Sequence, residues 1–179
     1  SDVDSGRWLE ATVSREGGDT PVRVVSAYFH SGEKDTPKQD AKMAHLPRIG
    51  NRMAELIAEE ANGGVSSLVC GDFNVVRSRS DIKNWTPNHN KRAGVLDEEI
   101  AFLNRWVDEG WRDTVRDLAG DTQGPYSWWS WRGQAFVNNA GWRIDYFLVS
   151  EELRGRIAAA EIHADVFGSD HCPVSLTLS

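Results

Sequence analysis

The chain has 179 residues, with 20 Lys and Arg against 27 Asp and Glu for a net charge of −7, and 8 of its aromatic residues are Trp. At 40% apolar and 26% charged it can bury a core, which excludes a disordered tail, and the length suits a single domain over residues 1–179. No apolar run reaches a membrane span, two cysteines (Cys70 and Cys172) are too few for a disulfide scaffold and make a reducing cytoplasm the default, and the acidic balance argues against indiscriminate polyanion binding.

The elements follow in chain order. Arg7 to Val13 and Pro21 to Phe29 are apolar and β-branched enough for two strands, with a hairpin turn at Glu16–Thr20. Met43, Leu46, Met53, Leu56 and Ile57 recur at helical spacing between Asp40 and Ala61. Pro47 and Gly50 should kink or split that helix, and Asn62-Gly63-Gly64 should cap it. Val65 to Cys70 is a short buried strand that delivers Gly71-Asp72-Phe73-Asn74. A polar loop, Arg77 to Gly94, leads into an amphipathic helix, Asp97 to Asp108. Strands at Ser127–Trp131 and Gly141–Ser150, a short helix at Glu151–Ile157, and strands at Ile157–Asp165 and Cys172–Leu178 complete an α/β or α+β chain.

The charge is unevenly placed. Residues 77–92 hold Arg77, Arg79, Lys83, Lys91 and Arg92 against Asp81 alone, a local charge of +4. Residues 122–144 carry Arg132 and Arg143 with no acid, and contain Trp128, Trp129, Trp131 and Trp142. Two basic segments therefore stand out of an acidic body.

Four short stretches carry side chains suited to chemistry. Asp72 and Asn74, two apart on an extended segment, would share a face, where a carboxylate activates water or binds metal and an amide steadies an oxygen; a plain turn is the competing reading. Asp170-His171 follows a Gly-Ser turn and offers a cation ligand beside an imidazole, or merely a solvated turn. Asp145 is an acid in an apolar strand and needs a partner, either Arg143 two residues away or a distant His held in a carboxylate–imidazole pair. Tyr28 ends a strand, as a core residue or as a phenol reaching a phosphate.

Taken together, Val24-Val25-Ser26-Ala27-Tyr28-Phe29, Cys70-Gly71-Asp72-Phe73-Asn74-Val75, Gly110-Trp111-Arg112-Asp113-Thr114-Val115-Arg116, Asn139 through Ser150 (Asn-Ala-Gly-Trp-Arg-Ile-Asp-Tyr-Phe-Leu-Val-Ser) and Gly168-Ser169-Asp170-His171-Cys172-Pro173-Val174 resemble the exonuclease III family of abasic-site DNA endonucleases, within the endonuclease/exonuclease/phosphatase superfamily. The resemblance covers nearly the whole chain. It implies a DNase I-like four-layer αββα sandwich, with part of the first sheet missing from this chain. It implies that Asp72 orients or deprotonates the attacking water, that Asn74 holds it, and that His171, oriented by Asp145, binds the scissile phosphate. Tyr28 would bond the same phosphate or help the metal site. Asp170, with Asp72 and Asn74, would serve Mg²⁺, or alternatively Mn²⁺.

Trp128, Trp142 and Ile144 match the abasic-sugar pocket, and Asn84, Lys91 and Arg92 the segment that grips the DNA backbone. The implied partner is double-stranded DNA with abasic sites or 3′ ends, handled by a monomer in the cytoplasm, on the nucleoid in a bacterium. The family's N-terminal Asn and Glu metal-ligand motif has no counterpart here, so a late-starting chain that is poorly active alone is expected. A superfamily phosphatase or non-specific nuclease is the first alternative, and a non-catalytic DNA-binding remnant the second.

Overall fold

The computed structural model describes residues 5–14 and 20–179. Strands β1 (Trp8–Val13), β2 (Val22–Tyr28), β3 (Ser67–Asp72), β4 (Trp111–Asp113) and β5 (Asp145–Ser150) form one sheet in the order β1-β2-β3-β5-β4, parallel only between β2 and β3. Strands β6 (Ile157–Ile162) and β7 (Val174–Leu178) form a separate antiparallel pair. The β1–β2 turn expected at Glu16–Thr20 lies, apart from Thr20, outside the described residues.

Strand alternation explains the layers. Val25 and Ala27 on β2, Val69 on β3, and Tyr146 and Leu148 on β5 face helices α1 (Pro37–Ala61) and α3 (Asp97–Asp108), making the main core with Leu46, Met53, Leu56, Leu103 and Trp106. Val22, Leu68 and Val149 face the opposite way, with Phe147, Ile157, Leu176 and Leu178 packed against them. Helices, large sheet and β6–β7 are thus three successive layers of the expected sandwich. The fuller sheet is the one begun by the chain's first strands, and the two-stranded one closes it.

Helix α1 runs unbroken through Pro47, which corrects the expected split. Losing one helical hydrogen bond costs less than giving up the apolar face on which Leu46, Ile49, Met53 and Leu56 are buried, each contributing roughly 1.5–3 kcal/mol. Thr36 precedes it and Pro37 occupies its first turn, so it begins earlier than apolar spacing alone suggested. Helix α3 has the expected bounds.

Ser127–Trp131 is not a strand. Trp128 exchanges two backbone hydrogen bonds with Trp142, at 2.9 and 2.8 Å, and makes an isolated bridge to His171, after which the chain turns away. Burial of Trp129 with Tyr126, Ala135 and Cys172 in a separate small cluster takes it out of register. The later elements are shorter than expected, with the helix after β5 (α5, Glu151–Arg154) only one turn. The polar loop holds a 3₁₀ turn at Arg79–Asp81 and one helical turn (α2, Trp85–Asn88), and α4 (Thr114–Ala119) follows β4.

Candidate active site

The register of three neighbouring strands builds the site. Tyr28 at the end of β2 pairs with Asp72 at the end of β3, and Asp72 pairs with Asp145 at the start of β5. Laterally paired residues share a face, so the three side chains stand in a row on the side that faces β6–β7, spaced by about 4.8 Å per strand. Gly71 permits this close pairing: its φ is +136°, and a Cβ there would lie 1.8 Å from the Ala27 carbonyl oxygen.

Asp72 and Asn74 do come together, though not by strand alternation. The strand ends at Asp72, and Asn74 takes a left-handed conformation, φ 51°, that asparagine tolerates. The turn brings its backbone N–H to Asp72 Oδ1 at 2.8 Å and its side-chain amide to Asp72 Oδ2 at 2.9 Å and the Phe29 carbonyl at 3.1 Å. The turn reading and the site reading are therefore both correct. Burial, and next the Asp145 carboxylate beside it, push the Asp72 pKa up to about 6.

Asp145 finds its partner across the chain. His171 Nδ1 donates to Asp145 Oδ2 at 2.9 Å, and the Ser127 hydroxyl donates to the same oxygen at 2.6 Å. Ser127 Oγ in turn accepts from the backbone N–H groups of Ile144 and Asp145, both at 3.1 Å. The hydrogen bond that His171 donates to Asp145 raises the His171 pKa above its ordinary value, which keeps Nδ1 protonated and leaves Nε2 for another group.

Arg143 is not the partner. It lies before the strand, fully buried, with Nε on Asp81 Oδ1 at 2.7 Å and both terminal nitrogens on Asp113 at 2.8 Å. Tyr28 is not a core residue either: it is 50% exposed, with the Arg7 guanidinium 4.9 Å from its ring centre.

The other expected residues divide. Asp170 adjoins His171 and accepts from Trp128 Nε1 at 3.0 Å, while the Trp128 and Trp142 rings meet edge to face at 5.5 Å. Ile144 is 4% exposed within the main core, so it backs the site rather than offering a contact surface. The open apolar cavity beside His171, about 240 Å³, is lined instead by Trp129, Trp131, Phe136, Val166 and Phe167. Asn84, Lys91 and Arg92 are exposed on the basic loop, and Asn84 lines a separate cavity of about 250 Å³ with Arg79 and Lys83. Arg77 is spent on Asp113 at 3.0 Å, so the loop presents less free charge than its composition suggests.

Ser127 was missed in the sequence. Its signal is faint, a serine between aromatic residues, because its role depends on a partner 18 residues away.

Asp72, Asp170 and the Asn74 side-chain Oδ1 are hard oxygen donors of the kind Mg²⁺ prefers. Among the described residues no group of three His, Cys, Asp or Glu side chains is close enough to hold an ion, so the donor chemistry fits while these residues do not close a metal centre.

A row of acid, acid and phenol at one end of a layered α/β sheet, with a histidine oriented by one acid, defines a hydrolase-like site on a two-sheet fold. The profile of the Endonuclease/Exonuclease/phosphatase family matches residues 3–171, and the chain belongs to that family. Its members generally depend on a divalent metal.

The chain is 47% identical over 158 residues to an exodeoxyribonuclease of Bacillus subtilis, covering 88% of this chain and 60% of that protein. It is 38% identical over 173 residues to recombination repair protein 1 of Drosophila melanogaster, covering 94% of this chain and 25% of that one. Among solved structures, the 3′ phosphatase NExo from Neisseria, bound to a product DNA hairpin, superposes with a TM-score of 0.82 at 25% identity, over 97% of this chain and 65% of its own. The chain thus spans well under the full length of these relatives.

Proposed function

We propose that this chain is the Asp- and His-bearing part of a DNA-repair nuclease that hydrolyses the phosphodiester 5′ to an abasic site. The same site would serve 3′→5′ exonuclease and 3′-phosphatase reactions. The observation that carries the reading is the row Tyr28–Asp72–Asp145 completed by His171 at 2.9 Å from Asp145. Relatives named exodeoxyribonuclease and DNA-(apurinic or apyrimidinic site) endonuclease support it.

In this reading Asp72, with its pKa at about 6, takes a proton from water while Asn74 steadies the carboxylate. The water oxygen forms a bond to phosphorus, the bond from phosphorus to the 3′ oxygen breaks, and that oxygen leaves as a 3′-hydroxyl after taking up a proton. His171, held by Asp145 and Ser127, offers Nε2–H to a phosphate oxygen whose charge grows in the transition state, and Tyr28 offers its phenol to the same group. A divalent cation, Mg²⁺ with Mn²⁺ as the alternative, would neutralise charge on the phosphate when bound. Asp170, Asp72 and Asn74 Oδ1 are the ligands this chain would contribute, with the remainder supplied from outside the described residues.

Lys91, Arg92 and Asn84 on the exposed loop grip the DNA backbone, in a contact that weakens as salt rises. Trp128 and Trp142, edge to face and packed against the core that holds Ile144, would be the aromatic wall that meets the abasic sugar, beside the open cavity next to His171. The protein works as a monomer in the compartment that holds the DNA, the cytoplasm and nucleoid in a bacterium.

The experiment compares cleavage of a duplex bearing one abasic site, the same duplex intact, and a duplex ending in a 3′-phosphate. Preferred cleavage at the abasic site supports the reading. Equal cleavage of the first two favours a non-specific nuclease. The Neisseria 3′ phosphatase gives a second reading its footing, and removal of the 3′-phosphate alone would favour it.

A further inference from the structure

An ion pair that the reaction does not use lies against the Asp72–Asn74 turn. Lys42 on α1 and Glu99 on α3 are 1% and 0% exposed, and their charged atoms are 2.7 Å apart. Lys42 Nζ also donates to the Asn74 carbonyl at 2.9 Å and the Ser31 carbonyl at 3.3 Å, which gives its three N–H bonds three acceptors. Glu99 Oε2 accepts from the backbone N–H groups of Gly94 at 2.6 Å and Leu96 at 3.2 Å, and Oε1 accepts from Gln39 at 2.8 Å.

Gly94 is where the basic loop closes: its carbonyl accepts from Val76 N–H at 2.9 Å. With φ +86°, a Cβ at Gly94 would sit 2.8 Å from the Asn74 carbonyl oxygen, so loop end and turn are back to back. Two buried charges are a costly way to fill such a space, since apolar side chains of similar volume often stabilise as well or better. What the pair supplies is direction. One ammonium fixes the turn, and one carboxylate fixes the loop.

We propose that Lys42 and Glu99 are positioning residues of the nuclease site, their ion pair clamping the Asn74 carbonyl and the closing end of the basic loop to one point. The turn that holds Asp72 and the loop that carries Lys91 and Arg92 are thereby set relative to each other. This rests on the nuclease reading, and the test separates the two.

The complete protein is made with Lys42→Met and Glu99→Gln together, so that no lone charge is left buried, and with Glu99→Gln alone in case the double variant fails to fold. kcat and KM are measured on the abasic-site duplex, and amide hydrogen exchange is followed at Asn74, Gly94 and the core residue Val69. A misplaced turn lowers kcat by about tenfold or more. Exchange at Asn74 and Gly94 rises by about tenfold relative to Val69, because the local clamp is lost while the core holds. Unchanged kcat with Asn74 and Gly94 exchanging in step with Val69 would overturn the proposal, leaving the pair a purely structural one. If the unsubstituted protein does not cleave the abasic duplex, the nuclease reading fails, and the exchange rates alone still decide whether the pair holds the turn.

Discussion

Two clusters of charge take their members from either side of Ile144, Arg143 going to one and Asp145 to the other, and both set carboxylates against cationic side chains, to opposite ends. Arg143, Asp81, Asp113 and Arg116 form a closed network in which Asp81 and Arg143 are fully buried and every carboxylate faces a guanidinium. Burial works against the Asp81 charge, but Arg143 and Arg116 outweigh it and hold its pKa below the ordinary value. Asp72, Asp145 and His171 are partly open, and the imidazole bonds to Asp145 alone while Asp72 stands beside that carboxylate on the next strand. There burial and a like charge raise Asp72 to about 6. A balanced network holds the fold, whereas an unbalanced one at a surface leaves protons that can move.

The largest expected effect breaks the open cluster. His171→Ala or Asp72→Ala in the complete protein should lower single-turnover cleavage of an abasic-site duplex by about 10³-fold, while DNA binding and thermal unfolding change little. The closed cluster should behave in reverse. Arg143→Met strips Asp81 of one buried hydrogen bond and Asp113 of two, and removes the guanidinium that bridges them, which should cost about 3–5 kcal/mol in denaturant unfolding. Loss of activity there should follow loss of folded protein.

Ser127 tests the boundary between the two behaviours, because it is fully buried yet belongs to the open cluster. Ser127→Ala removes the donor to Asp145 and orphans two backbone N–H groups. It should cost about 1–3 kcal/mol of stability and lower kcat by about tenfold, read by unfolding and by steady-state kinetics on one preparation.

The smallest effect lies at the half-exposed Glu10–Arg52 pair. Hydrogen bonds from Arg52 hold the Glu10 pKa down, from 4.5 to about 2. A depressed carboxyl stabilises the fold above its unfolded value and loses that contribution as pH falls through the folded one. The stability gap between the parent and Glu10→Gln should therefore shrink between about pH 4.5 and pH 2, as urea titrations at several pH values would show.

Much of this site could be read in the chain before its shape was known. Asp72, Asp145 and His171 sit in short stretches whose wording resembles a nuclease family, and the amphipathic spacing of α3 fixed its limits. What could not be read is which polar group meets which. Arg143 and Asp145 are two residues apart and were candidates for each other, but the strand begins between them and sends them to different networks. Asp72 and Asn74 meet through a left-handed turn rather than a shared strand face. Ser127 and Lys42 act on partners 18 and 32 positions away, and local pattern carries no trace of such contacts. The aromatic cavity beside His171 likewise joins residues 129–136 to 166–172, two loops that only the fold brings together.

The claim at the centre of this account is that His171, oriented by Asp145, acts on a phosphate at an abasic site. Single-turnover cleavage of a duplex with one abasic site, by the complete protein and by its His171→Ala variant at matched DNA occupancy, tests it most directly. The parent should cut 5′ to the abasic site, and the variant should lose about 10³-fold in rate. Cleavage at equal rates by the two proteins would contradict that claim.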